Sequence, residues 1–135
     1  MTETKKSLTL QEFLAENTVE NITNEVKVSS RIPFDFKIKS MTGRERDNYR
    51  KACTKKDKGN IQFDENKFQR SVIIGQTVNP VFNDIGFMSK IGAAVPEDCL
   101  EKVLLAGEQE ELFKQILKVS GFDVGMKDLV EKAKN

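Results

Sequence analysis

Apolar and polar positions alternate with two different periods along this chain. Near the start, Leu10, Phe13 and Leu14 recur at i, i+3 and i+4, which is one face of a helix. Thr9 and Glu12 hold a capping-box spacing around them, in which the threonine hydroxyl accepts the backbone N–H of Glu12. The pattern predicts one short amphipathic helix over roughly 9–16, behind a polar, disordered start at 1–8. A helix of this length is not stable alone. Either it docks permanently on the rest of the chain, the plainer reading, or it is an arm that closes over a groove and is displaced by a partner helix. Asn17 to Asn24 is rich in Asn and Thr and reads as a linker.

The period then changes to two. Val26 and Val28 alternate with Lys27 and Ser29, and Phe34, Phe36 and Ile38 alternate with Asp35, Lys37 and Lys39. Each is the signature of a half-buried strand. Ser29 to Pro33 lies between them and predicts a hairpin with a loose or bulged turn.

From Thr42 onward the helical period dominates. Thr42 and Glu45 form a second capping-box spacing, with Tyr49, Ala52 and Cys53 on one face behind it. Lys55 to Asn60 reads as a charged turn ending at Gly59. A helix opens at Asp64 with Phe68, Val72 and Ile73 inward, and ends before Pro80. A short helix or turn covers roughly 81–90, holding Phe82, Ile85 and Phe87. Pro96 fits the first position of the next helix, whose face is Leu100, Val103 and Leu104, and Gly107 breaks it. Glu108 to Ser120 carries the clearest stripe: Leu112, Phe113, Ile116 and Leu117. Gly121 and Phe122 suit a Schellman cap. Asp123 then caps a last helix on Met126, Leu129, Val130 and Ala133.

The sum is an α+β chain, an N-terminal β-hairpin followed by a compact bundle of five to six short helices. The expected organisation is an N-terminal arm over 1–20, free to move, and a single α+β domain over 21–135. The apolar groups most suited to a partner are Leu10, Phe13 and Leu14 at one end and Met126, Leu129 and Val130 at the other.

Composition removes several functions. At 135 residues the chain fits one domain and needs no metal or disulfide to fold. It has 0 histidines, so the commonest general acid–base group and metal ligand are missing. Its 2 cysteines, Cys53 and Cys99, form no CxxC pair and read as small core residues. No apolar run approaches the roughly 20 residues that cross a bilayer, and charges interrupt the start where a signal peptide would need an apolar stretch. These features point to a soluble intracellular protein without cofactor or metal. No carboxylate pair, phosphate loop or nucleophile motif nominates a catalytic group.

The net charge of +1 argues against a dedicated nucleic-acid binder. Basic residues do crowd 44–58, with Arg44, Arg46, Arg50, Lys51, Lys55, Lys56 and Lys58 against Glu45, Asp47 and Asp57. A phosphate-contacting face is one reading. A solvated helix face is the plainer one, because no stacking aromatics interleave these residues in sequence. The acidic stretch 97–111, with six carboxylates against Lys102, reads likewise as a solvated face with acids at two helix starts.

The order of pieces has a counterpart. Leu8-Thr-Leu-Gln-Glu-Phe-Leu14 leads to Val26-Lys-Val-Ser-Ser-Arg31 and Phe34-Asp-Phe-Lys-Ile38. Met41-Thr-Gly-Arg-Glu45, Thr77-Val-Asn-Pro80, Leu105-Ala-Gly-Glu108, Val119-Ser-Gly-Phe122 and Ala133-Lys-Asn135 follow. In that order they resemble the XkdN-like family of tail-assembly chaperones of tailed bacteriophages and prophages. The likeness covers nearly the whole chain and lies in caps, turns and core positions.

The resemblance implies a non-enzymatic protein of the bacterial cytoplasm, absent from the mature virion. It would bind the phage tape-measure protein and help recruit tail-tube protein; self-association is a separate expectation. The rival functions are a structural tail subunit of the virion and a small nucleic-acid-binding regulator using the 44–58 face. The resemblance also bears on Ala133-Lys-Asn135, which a slippery adenine run could encode if a frameshift-extended form is made.

Overall fold

A computed structural model describes residues 9–122. Six helices and five short strands occupy them. In chain order they are α1 (Leu10–Glu16), β1 (Thr23–Val26), β2 (Phe36–Lys39), α2 (Gly43–Ala52), β3 (Thr54–Asp57), β4 (Asn60–Phe63), α3 (Glu65–Gln76), β5 (Thr77–Asn79), α4 (Ile85–Ile91), α5 (Pro96–Val103) and α6 (Ala106–Val119). The chain is α+β with an early antiparallel hairpin, as the alternation predicts.

Three helices and a sheet share the core. Val72 and Ile73 of α3, Leu112 and Ile116 of α6, and Leu100 of α5 are fully buried. Against them lies the inner face of a three-stranded sheet ordered β1-β2-β5. Phe36 and Ile38 point inward while Lys37 between them points out, the two-residue period at work. Val26 faces Phe36 and Thr23 faces Lys39 across the β1–β2 ladder. Cys53 and Cys99 are both buried free thiols.

The caps predicted within the described residues form, whereas the last helix expected behind Asp123 lies outside them. The Thr42 hydroxyl accepts the Glu45 N–H at 3.2 Å, and the Glu45 carboxylate accepts the Thr42 N–H at 2.9 Å. Burial alone would raise the Glu45 carboxyl, but hydrogen bonds from Thr42 and Asn21 and the charge of Lys39 outweigh it and hold it below its ordinary value. Asp64 caps α3 by accepting the Lys67 N–H at 3.0 Å. Pro96 opens α5. At the end of α6, Phe122 N–H donates to Leu117 C=O at 3.0 Å and Gly121 N–H to Lys118 C=O at 3.1 Å. Gly121 has φ 92°, so the Schellman cap needs its glycine.

Five local expectations are corrected. The charged turn at 55–60 is an antiparallel hairpin, β3–β4, with Asp57 opposite Asn60. Its two turn residues, Lys58 and Gly59, have φ 51° and 86°, the positive values that a two-residue hairpin loop of right-handed twist demands. The first hairpin begins earlier than predicted, inside the Asn/Thr segment, and residues 27–35 all belong to its connection. Val28 is still buried there, but Phe34 is 76% exposed and outside the strand, because Pro33 delays the ladder until Phe36. Gly107 does not break a helix; it lies in the first turn of α6. The break falls at Leu104 and Leu105, whose extended backbone lets Leu104 turn into the core. Ala52 is exposed, leaving Tyr49 and Cys53 to face inward. Thr77–Asn79, expected only as the run-out before Pro80, adds the third strand by pairing with β2.

Candidate functional site

Two arginines four positions apart on α2 share a face. Arg50 carries its guanidinium carbon 4.7 Å above the Phe63 ring of β4, and Arg46 stands 5.5 Å from the Phe122 ring at the end of α6. Beneath them the aromatic side chains continue. Phe63 meets Phe68 of α3 with ring centroids 5.5 Å apart, and Phe68 meets Phe113 of α6 edge-on at 6.3 Å. Leu117 lies between Phe113 and Phe122 along α6. Glu65 and Gln69 of α3 add polar side chains to the same lining. Together these residues enclose a surface groove of about 290 Å³.

The groove has a physical logic. Phe68 is buried and anchors the floor, whereas Phe63 is 38% and Phe122 41% exposed. An open aromatic floor of this kind favours an apolar side chain from elsewhere. The guanidinium groups hold the rings by cation–π attraction, about 0.5–1 kcal/mol each at an exposed site, and bring positive charge to the groove. The β3–β4 hairpin puts Phe63 in place: Asp64 N–H donates to Cys53 C=O at 2.8 Å and closes the hairpin's base.

A second cluster ties the first hairpin to α6. The Glu108 carboxylate, 5% exposed, accepts two hydrogen bonds from Arg31 at 2.6 and 2.9 Å, one from the Ser29 hydroxyl at 2.5 Å and one from the Leu105 N–H at 2.8 Å. Arg31 also donates to the Val103 carbonyl at 2.9 Å. These bonds, that from Arg31 foremost, bring the Glu108 carboxyl down to about 2, against the opposing effect of burial. All its acceptor sites are used within the fold, so it is a clamp and not a reactive group. The acidic stretch is therefore not wholly a solvated face. Among the described residues no group of three or more His, Cys, Asp or Glu is placed to hold a metal ion, and no helix is long and apolar enough to cross a membrane.

Sequence alone singles out Leu10, Phe13 and Leu14, which all lie on α1 and are 74%, 52% and 57% exposed. None of them lines the groove. The helix has no buried residue, so permanent docking of the stripe on the core is not what the structure shows. Met126, Leu129 and Val130 lie outside the described residues. The groove itself is not legible from spacing, because its residues come from α2, β4, α3 and α6. The usable signal was the alternation of Ile61 and Phe63 behind Lys58-Gly59, which marks a hairpin and carries Phe63 toward Phe68.

Residues 10–134 match the phage XkdN-like tail assembly chaperone protein family. The chain belongs to that family. The crystal structure of the protein yqbn shares its fold: TM-score 0.69 at 22% identity, covering 86% of this chain and 98% of that one. No curated protein sequence matches the chain. This XkdN-like tail assembly chaperone carries the aromatic groove and the Glu108 clamp on that fold.

Proposed function

We propose that this chaperone binds the tape-measure protein of its phage and assists assembly of the tail tube, without catalysis. It acts in the host cytoplasm and leaves the finished virion. The observation that carries this reading is the open floor of Phe63 and Phe122 between two arginines. A tape-measure protein is a long helix with apolar stripes, which aggregate unless covered. The groove takes one or two apolar side chains of such a helix and pairs its acidic flanks with Arg46 and Arg50. Leu10, Phe13 and Leu14 on the arm, and Met126, Leu129 and Val130 near the other end, extend the apolar contact. Many copies along one chain supply avidity that one small groove lacks.

The rival use of the basic face is phosphate binding. Two of its arginines lie against phenylalanine rings, an arrangement that single-strand binders also use, so salt dependence is what separates the two partners.

The test is co-expression with the long helical protein encoded downstream, then pull-down and sizing. A soluble complex with several copies per partner is expected, surviving a rise in salt that would abolish phosphate binding. Phe63→Glu with Phe122→Glu should weaken capture at least about tenfold, as loss of an interface anchor does. A monodisperse chaperone beside an insoluble, unbound partner would sink the proposal. Recovery of the protein in purified virions would replace it with the structural-subunit reading.

A further inference from the structure

The arm and the groove are complementary in charge as well as in apolarity. Residues 9–22 carry Glu12, Glu16 and Glu20 and not one Lys or Arg. The groove offers Arg46 and Arg50 above an aromatic floor. Leu10 and Leu14 are one helical turn apart, as are Phe113 and Leu117 on the groove wall, each pair spanning about 6 Å. The side chains of α1 that would enter the groove are the ones left exposed.

The arm is also tethered next in sequence to a residue that lines the groove. Asn21 donates from its side chain to the Ser40 carbonyl at 2.6 Å and to the Glu45 carboxylate at 3.1 Å, and the next residue after Glu45 is Arg46. From Glu16 to Asn21 the chain reaches at most about 17 Å. Yet no residue of α1 lines its own groove, and its backbone and side-chain hydrogen bonds stay within residues 9–17. A short acidic arm that stands off its own domain, and a groove with two arginines against the single carboxylate of Glu65 over an aromatic floor, fit a reciprocal exchange.

We propose that α1 of one copy seats in the aromatic groove of a second copy, and that the second copy's α1 returns the contact. Two arms in two grooves form a closed two-fold pair, in which each contact raises the effective concentration of the other. The inference shares the groove with the function proposed above but requires no tape-measure protein. A tape-measure helix and the exchanged arm then compete for one surface, so assembly begins with release of the arm.

The test is sedimentation velocity of the full-length protein alone, from about 5 μM to about 500 μM, since self-association depends on concentration. The wild type should pass from monomer to dimer across that range. Leu10→Glu with Phe13→Glu, and separately Arg46→Glu with Arg50→Glu, should each raise the dissociation constant at least about tenfold. Mixing the two variants should restore association in part, because the intact arm of one meets the intact groove of the other; circular dichroism matching the wild type confirms that both fold. A wild type that stays monomeric throughout overturns the exchange. So does a dimer indifferent to both variants, or a concentration-independent compact monomer with the arm folded onto its own groove.

Discussion

Gly75 near the end of α3 shows how one missing carbon can hold a contact together. A Cβ there would lie 1.9 Å from the Tyr49 hydroxyl oxygen and 2.9 Å from the carbon that bears it. That hydroxyl cannot move freely, for it donates to Gln76 Oε1 at 2.7 Å, and Gln76 Nε2 donates on to the Ser40 carbonyl at 2.9 Å. Burial, with the nearby Glu45 charge, pushes the Tyr49 phenol above its ordinary value, so it stays a donor at neutral pH. Gly75→Ala gains about 1 kcal/mol of helix propensity. Overpacking a fixed neighbour costs about 1–3 kcal/mol, and the hydrogen bond weakens besides. Urea unfolding should show a net loss of about 1–2 kcal/mol, smaller when the change is made on Tyr49→Phe. Two other residues can be tested directly. Cys53 and Cys99 are 2% and 0% exposed, and burial, aided by Asp98, raises the Cys99 thiol. A thiol reagent should leave both unmodified in the folded protein and label both in denaturant.

At the scale of elements, the clamp between the first hairpin and α6 sets a pH dependence. The Glu108 carboxyl lies at about 2 in the fold against an ordinary 4.5. The fold therefore favours its charged form, and the contribution is full above 4.5 and lost as pH falls toward 2. The urea midpoint should drop through that window. Glu108→Gln should start lower at neutral pH and respond less to acid; equal acid slopes for the two proteins would show that the clamp does not set them. How much of this was legible follows from what each element asks of its neighbours. Helices α3 and α6 bury long regular stripes, and their caps are local, so spacing places both closely. The β3–β4 hairpin buries little and is written in Lys, Asp and Asn; its evidence is a two-residue turn of positive φ, which composition hides. Strand β5 exists only because β2 offers it an edge, a tertiary reason that no window of sequence contains. The groove inherits the same difficulty, since Arg46 and Phe122 meet only after the whole domain has closed.

The molecule as a whole is stapled between its first third and its last described helix. Arg31 reaches Glu108, and Met41 N–H donates to the Ser120 hydroxyl at 2.8 Å. Their sequence separations are 77 and 79 residues, so the core closes through distant pairings, which form slowly. During synthesis this has an order. The β1–β2 hairpin leaves the ribosome early, with Phe36 and Ile38 uncovered, and has no α6 to receive it until residues near 120 have emerged. Until then the nascent chain exposes apolar surface of the kind that makes incompletely folded species prone to aggregate. A tail assembly chaperone must first have its own apolar surface covered, and its last described helix does so.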